Sequence, residues 1–302
     1  MISTIQKQIT AKPFLKWAGG KTQLLDEIGK RLPREVSTGQ ITTYVEPFVG
    51  GGAVFFHIAQ NYPNIKKFYL CDINNDLINC YKTVQSDVRS LIESLRQFEE
   101  QFLSLNERGG KDFYLKIRKQ FNLHKDEDNS PETIAKLIFL NKTCFNGLYR
   151  VNSKNEFNVP FGRYKNPTIC NEGNLLVASE VLQKAEIFCC DFTKSIKYIN
   201  KKTFVYLDPP YRPLNATASF TSYSKDSFSE EDQIRLSDFC REIDKKGATF
   251  LLSNSDPKNE NAEDHFFEDN FRDFSICRVK ASRMINCKAI GRGQINELII
   301  TN

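Results

Sequence analysis

The sequence predicts an α/β protein built on a doubly wound sheet that carries a mainly helical insertion. Three observations lead there. Thr203-Phe-Val-Tyr-Leu207 holds no charge and reads as a strand buried on both faces of a parallel sheet. Other strand-like runs also stop on a carboxylate: Lys67 to Cys71 before Asp72, and Ala185 to Cys190 before Asp191. Helical periodicity separates these runs, which is the strand–helix alternation of a doubly wound fold. The 302 residues suffice for one such domain plus an insertion at about residues 80–180.

Composition narrows the setting. Apolar content of 40% and charged content of 26% are those of an ordinary soluble protein. No apolar run reaches the roughly 20 residues of a membrane span, and Met1 to Lys7 lacks a signal peptide's apolar block. Nine cysteines with no C-x-x-C argue against a disulfide framework or a zinc site. Cys71, Cys189 and Cys190 read as small hydrophobes within strands. The three histidines, at 57, 124 and 265, have no metal spacing with a cysteine. The expectation is a cytoplasmic, reduced and metal-free protein. A net charge of +5 is a mild pointer to a polyanionic partner.

The first motif is Pro13-Phe-Leu-Lys-Trp-Ala-Gly-Gly-Lys-Thr22. Gly20-Lys21-Thr22 resembles the end of a phosphate-binding loop, but that motif needs glycine where Leu15 stands, so a nucleotide-phosphate site is excluded on spacing. Trp17, the single tryptophan, beside Gly19-Gly20 and Lys21 suits a flap that packs an aromatic on a ligand and offers an ammonium to a carboxylate. Thr42 to Phe56 then reads as strand, glycine turn and helix start. Gly50 and Gly52 lack the third glycine of a dinucleotide fingerprint, because Phe55 takes its place. The turn still lets a ligand touch backbone. Asp72, twenty residues beyond Gly52, stands where a carboxylate accepts both hydroxyls of a ribose.

Residues 76–140 are helical by spacing: Val88-Leu91-Ile92-Leu95 and Phe98-Phe102-Leu105 recur at i, i+3/i+4. Lys125 to Ser130 is a loop, and Pro131 opens a further helix. Lys142 to Asn166 differs. Lys142, Arg150, Lys154, Arg163 and Lys165 face Glu156 alone, with Phe145, Tyr149, Phe157, Phe161 and Tyr164 interleaved. Ser153 to Glu156 lies between two extended runs, which predicts a hairpin. Mixed guanidiniums and flat rings suit a ribbon that reads a nucleic-acid groove.

After the uncharged strand Thr203 to Leu207, Asp208-Pro-Pro-Tyr211 sets a carboxylate at a strand's carboxyl end and a rigid turn that presents Tyr211. Ligands bind open α/β sheets at such ends. Arg212 to Ser227, rich in Ser, Thr, Asn and Tyr, has the composition of a mobile loop that closes over substrate. A helix over 230–246, a strand over 248–252 and closing strands from Phe271 complete the reading.

Together these stretches resemble the Dam-type DNA adenine-N6 methyltransferases, and among them the DpnII/MboI-type modification enzymes of GATC sites. The resemblance rests on Lys16-Trp-Ala-Gly-Gly-Lys21, Glu46-Pro-Phe-Val-Gly-Gly-Gly52, Asp72-Ile-Asn74, Asn146-Gly-Leu-Tyr-Arg150, Phe157-Asn-Val-Pro-Phe-Gly-Arg-Tyr164 and Asp208-Pro-Pro-Tyr211, and covers nearly the whole chain. It implies a Rossmann-like, S-adenosylmethionine-dependent sheet formed by 1–79 and 180–302, with 80–179 as a helical DNA-recognition domain carrying the hairpin. By resemblance, Trp17, Lys21, Phe48, Gly50, Gly52, Asp72, Asp191, Phe192 and Asp208 serve the cofactor. Trp17 and Lys21 would hold its methionine end, Asp72 its ribose and Asp191-Phe192 its adenine. Lys16, Phe145, Asn146, Leu148, Arg150, Pro160 and Arg163 match DNA-contacting positions. The implied partner is double-stranded DNA. A cognate restriction endonuclease sharing the site without a stable complex is a further implication; a solitary methylase is the alternative.

The chemistry of Asp208, Pro209, Pro210 and Tyr211 fits that resemblance. An exocyclic amine is a poor nucleophile because its lone pair is delocalised into the ring. Two acceptors, Asp208 and the Pro209 carbonyl, would localise the pair and stabilise the charge growing on nitrogen, an effect on the order of 100-fold in rate. Tyr211 offers a face for a base turned out of the helix. N4-cytosine methylation and a non-catalytic DNA-binding module remain as alternatives.

Overall fold

The computed structural model describes residues 9–212, 228–282 and 294–302. Seven strands form one sheet: β1 Thr43–Glu46, β2 Lys67–Asp72, β3 Ala185–Cys189, β4 Thr203–Leu207, β5 Thr249–Ser255, β6 Ser275–Ser282 and β7 Gln294–Thr301. Their order is β3-β2-β1-β4-β5-β7-β6. The first five are parallel, and β7 runs antiparallel between β5 and β6. The chain steps outward from β1 to β2 to β3, then returns to lay β4 on the other side of β1. The order therefore reverses between β1 and β4. Their carboxyl ends flank the crevice where such sheets bind ligands.

Both faces of the sheet are covered, as the uncharged β4 requires: all five of its residues are buried. Tyr44, Phe68, Phe204 and Tyr206 join the helix Ala53–Asn61 in one apolar cluster. Val45, Val205, Leu207 and Phe250 join the helix Glu230–Lys245 in another, through Leu236, Phe239 and Ile243. The doubly wound expectation is met.

Two strand boundaries differ from the sequence reading. β5 continues past Leu252 to Ser255, because Asn254 and Ser255 pair with Leu298 and Glu297 of β7. Polar residues there remain strand because a neighbour satisfies their backbone. β3 ends at Cys189, whose side chain is exposed, and Cys190 is half-buried. β3 is an edge strand with an alternating buried and open pattern, so of the three cysteines Cys71 alone is a fully buried hydrophobe.

Between β2 and β3 the chain forms helices Asn75–Ser86, Val88–Leu103, Glu107–His124, Pro131–Thr143 and Glu172–Leu182. Each starts on a side-chain cap, from Asn74, Asp87, Asn106, Ser130 and Asn171, which satisfies an amide left unpaired in the first turn. The buried stripe Leu91-Ile92-Leu95-Phe102 matches the expected period, whereas Leu105 falls beyond the helix and is exposed. Phe98, Phe102 and Phe113 ring Phe139 at 5.8, 5.6 and 5.4 Å.

Residues 144–161 make the expected ribbon. Val151 faces Phe157 and Cys144 faces Phe161 in antiparallel bridges, with Asn155 at φ 64° in the connecting turn. Its aromatics are mostly not outward-facing. Phe157 is 1% exposed, Phe161 packs on Phe102 and Tyr114, and Tyr149 is half-buried. The helices beneath the ribbon draw these rings inward, Phe157 against Phe121 and Phe161 against Phe102. Phe145, 51% exposed, is the aromatic the ribbon presents.

Candidate active site

At the reversal point two turns meet, Glu46 to Gly52 after β1 and Asp208 to Tyr211 after β4. Val45 pairs with Val205, so the ends of the two strands lie at one level. Lys21, in a 3-10 turn over Lys21–Leu24, reaches between them and is 4% exposed. Its ammonium lies 2.7 Å from Asp208 Oδ1 and donates to the Gly19 carbonyl and the Tyr211 hydroxyl, each at 3.0 Å. Those three acceptors use its three N–H groups. Burial pulls the ammonium down, but Asp208, Tyr211 and Glu297 outweigh it and hold Lys21 above its ordinary value.

Ser253 of β5 donates to the same Asp208 Oδ1 at 3.2 Å and shares a hydrogen bond with Tyr206 at 2.9 Å. Among the described residues, Asp208 Oδ2 and the Pro209 carbonyl have no hydrogen-bond partner. Burial raises the Asp208 carboxyl above the ordinary range, with Lys21 opposing. Pro209 is buried and Pro210 exposed. The Pro210 carbonyl accepts from Gln233 at 3.0 Å, and Asn254 holds Gln233 in turn. The turn is thus braced from behind while its front acceptors stay open. Tyr211 is 37% exposed, and burial pushes its hydroxyl up to about 12 against the pull of Lys21.

The glycine turn needs its glycines. Gly50 and Gly52 have φ of 46° and 72°, where a side chain is strained. A Cβ on Gly52 would lie 2.4 Å from the Tyr81 hydroxyl, and one on Gly50 3.2 Å from Trp17 Cδ1. Trp17 therefore packs closely against this turn. Asp72 accepts from the Gly50 amide at 3.1 Å and the Asn74 amide at 2.9 Å, which fixes its carboxylate at the mouth of the crevice. Burial raises Asp72 against those amides.

Glu46, fully buried, was not singled out in the sequence. It accepts from Tyr44 at 2.8 Å, and burial, reinforced by Asp208 and Asp72, raises it well above the carboxylate range. Glu46, Asp72 and Asp208 thus make a cluster of carboxylates at three strand ends. Phe48 stacks on Phe192 at 5.2 Å and 29° beside it. Asp191 caps the turn after β3 through Thr193 and pairs with Arg235 at 3.1 Å, so its carboxylate already has partners.

The ribbon carries the second group of expected residues. Phe145, Asn146 and Gly147 form a 3-10 turn with Asn146 at φ 55°, and the Phe145 amide donates to the Pro160 carbonyl at 2.8 Å. Phe145, Asn146, Pro160 and Arg163 are exposed on this side, and Leu148 and Arg150 are half-buried. Arg150 is held by Asn158, Nε to Oδ1 at 2.7 Å and Nη2 to the carbonyl at 3.2 Å, which leaves Nη1 open. Lys16 sits over the Tyr164 ring at 4.4 Å. Asn141 binds both the amide and the carbonyl of Lys16 at 2.8 Å and the Gly147 carbonyl at 3.1 Å, so the Lys16–Trp17 strip and the ribbon are clamped together.

The sequence model of the D12 class of N6 adenine-specific DNA methyltransferases matches residues 17–285. The chain belongs to that class. As a D12-class methyltransferase it is also similar along its length to curated relatives. A type II methyltransferase, M.MjaIII of Methanocaldococcus jannaschii, is 52% identical over 96% of this chain and 99% of its own. The type II methyltransferase M1.LlaDCHI of Lactococcus lactis subsp. cremoris is 38% identical over 100% and 99%. A DNA adenine methylase of Haemophilus influenzae is 36% identical over 98% and 95%.

The family bears out the reading of the chain as an adenine-N6 methyltransferase and makes DNA the substrate class. No helix among the described residues is long and apolar enough to cross a membrane. Sequence reasoning missed Ser253, Gln233, Glu46 and Asn141 in this D12-class enzyme. The signal for Ser253 and Asn254 was present: they are polar residues continuing an apolar strand at the level of Asp208. The loop expected to close over substrate lies, beyond Arg212, outside the described residues.

Proposed function

We propose that this methyltransferase transfers a methyl group from S-adenosylmethionine to N6 of an adenine turned out of duplex DNA, at GATC sites. It would serve as the modification enzyme of a type II restriction system or as a solitary methylase. The observation that carries the reading is a pair of acceptors open among the described residues, Asp208 Oδ2 and the Pro209 carbonyl, at the reversal point between β1 and β4.

The residues at the crevice fit the cofactor. Glu46, Asp72 and Asp208 are carboxylates whose ionisation burial opposes, and a ligand bearing a sulfonium and an ammonium offsets that opposition. Trp17, Gly50 and Gly52 give a flat wall and a close backbone approach, and Phe48 with Phe192 gives a second aromatic surface for an adenine. Asp191, beside that surface, would orient it. When bound, S-adenosylmethionine supplies an electrophilic methyl group on a positively charged sulfur.

The chain's own residues do the rest. Asp208 Oδ2 and the Pro209 carbonyl each accept one N–H of the target amine and localise its lone pair for in-line attack. Lys21 and Ser253 hold the other carboxylate oxygen, so the acceptor does not rotate. Tyr211 stacks the displaced base. Asp208, with its raised pKa, is a suitable first acceptor for the proton that the methylated amine sheds.

We read residues 80–179 as the recognition part and 1–79 with 180–302 as the catalytic part. Phe145 wedges into the stack, Lys16 and Arg163 meet phosphates, and Asn146, Leu148, Arg150 and Pro160 face the bases. The test is to incubate the protein with S-adenosylmethionine and a plasmid, then digest with one enzyme that cuts GATC only when methylated and one that cuts it only when unmethylated. Reciprocal protection is expected, with N6-methyladenine in the nucleoside digest. N4-methylcytosine, or methyladenine outside GATC, would overturn the respective part.

A further inference from the structure

Tyr149 lies between Leu148 and Arg150 on the ribbon, yet its side chain points away from the ribbon's open face. Its ring stacks on Trp17, centroids 5.3 Å apart and planes inclined by 26°. Trp17 in turn lies along Gly50 and Gly51, where an added Cβ would come within 3.2 and 3.4 Å of it. The Tyr149 hydroxyl donates to Asp76 Oδ2 at 2.5 Å, and Lys125 reaches the same oxygen at 2.8 Å. Asp76 sits in the first turn of helix Asn75–Ser86, whose start is tied to Asp72 through the Asn74 amide. One ring is therefore wedged between the ribbon, the tryptophan wall and the helix that follows the cofactor-side aspartate.

We infer that Tyr149 is a positioning residue shared by the two ligand sites, so that ordering it for one ligand favours the other. The inference rests on the cofactor and DNA reading above. Its physical basis is that a group which both sites need fixed has to be ordered once. The first ligand bears that entropy loss and the second does not, which is positive coupling without any gross movement. Coupling between two binding sites is reciprocal, so cofactor tightens DNA by the factor that DNA tightens cofactor. The stack is the part of the linkage a side chain controls. The Asn141 clamp joins the same two segments through backbone and fixes their distance, but it leaves the indole plane unset. The hydroxyl bond to Asp76 sets the ring's own angle, which makes the hydroxyl secondary to the ring.

The experiment is calorimetry of S-adenosylhomocysteine, a non-reactive probe, binding to the full-length protein with and without saturating GATC duplex. Wild-type protein is expected to bind the probe about tenfold more tightly with duplex present. Tyr149→Leu, which keeps bulk and loses the plane, brings that factor below about twofold. Tyr149→Phe, which keeps the plane and loses only the bond to Asp76, retains about threefold or more. Trp17 is the chain's single tryptophan, so its emission gives an independent readout. Duplex alone shifts it in wild type and Tyr149→Phe but not in Tyr149→Leu. An undiminished factor in Tyr149→Leu overturns the inference, as does a wild-type factor near one with both ligands bound. If the leucine variant does not fold, loss of the factor in the folded Tyr149→Phe protein overturns the ring's role. A wild-type protein that binds neither probe nor duplex refutes the underlying reading instead.

Discussion

Lys21 and Asp208 form an ion pair of 2.7 Å that engages one carboxylate oxygen, Oδ1, and leaves Oδ2 without a partner among the described residues. The lysine that the sequence assigned to a ligand's carboxylate thus meets a carboxylate of the chain itself. It fixes the orientation of the acceptor on which the proposed transfer depends.

That pairing decides how Asp208 should be tested. Asp208→Asn keeps the shape and an acceptor but removes the charge, and is expected to reduce the methylation rate by about 100-fold or more. Asp208→Ala should lose at least as much rate, and also stability, because it strands a buried ammonium. Single-turnover methylation, with thermal melts of both variants, checks this. An asparagine variant retaining more than about a tenth of the wild-type rate would sink the role.

Arg150 and Lys154 separate reading from positioning. Asn158 holds the Arg150 guanidinium with Nη1 open, a geometry suited to guanine O6 and N7, worth roughly 1–3 kcal/mol of discrimination. Arg150→Ala is expected to lower the preference for GATC over single-guanine variants by about 10- to 100-fold. Lys154, exposed at the ribbon's turn, should meet phosphate, so Lys154→Ala weakens all duplexes alike and flattens the salt dependence. Methylation rates on matched and altered duplexes at fixed salt distinguish the two. Uniform slowing by Arg150→Ala would make it a phosphate clamp.

Glu46 predicts a pH effect on stability. Burial raises its folded-state pKa well above the value in the unfolded chain. The native state therefore binds the extra proton across the interval between the two values. Its stability is greatest below the ordinary carboxylate range and falls as pH rises toward the folded pKa. Glu46→Gln cannot ionise and still accepts from Tyr44. Urea melts at pH 5 and pH 8 should show the variant gaining on wild type as pH rises; parallel curves would mean Glu46 does not titrate as described.

Asp76 and Lys125 form the ion pair whose loss should be felt most, with side chains 8% and 2% exposed. Asp76→Ala leaves the lysine buried and unpaired, and is expected to cost about 3–5 kcal/mol. The Arg96–Glu172 pair, with side chains 52% and 43% exposed, is the control: solvent screens it, and Glu172→Ala should leave stability little changed. Chemical denaturation of both variants measures the contrast, and equal losses would contradict it.

How much of this was legible in the sequence depended on whether neighbours in space were also neighbours in chain. β4 and its terminal aspartate were readable, because an uncharged strand followed by two prolines carries its own instructions. So was the glycine turn. Ser253 and Gln233 were missed: the signal for Ser253 was the polar continuation of the neighbouring apolar strand, and Gln233 acts on the Asp208 turn from a helix whose own pattern is unremarkable. The ribbon's aromatics misled for the opposite reason. Their local spacing suited an exposed reader, but Phe157 and Phe161 were claimed by the helices beneath, a contact no local pattern records.

The pairing of β1 has one more consequence, in the order of events as the chain is made. Thr43 lies beside Lys67 on one side and Thr203 on the other. The first neighbour emerges soon after β1, while the second waits for the whole helical insertion to be synthesised. Closing so long a loop delays folding and leaves one flank of β1 unpaired meanwhile. The insertion's helices pack largely on one another and all precede β4 in the chain, so they can form during that wait. The crevice between β1 and β4 cannot, so a nascent chain holds its ribbon before it holds the crevice.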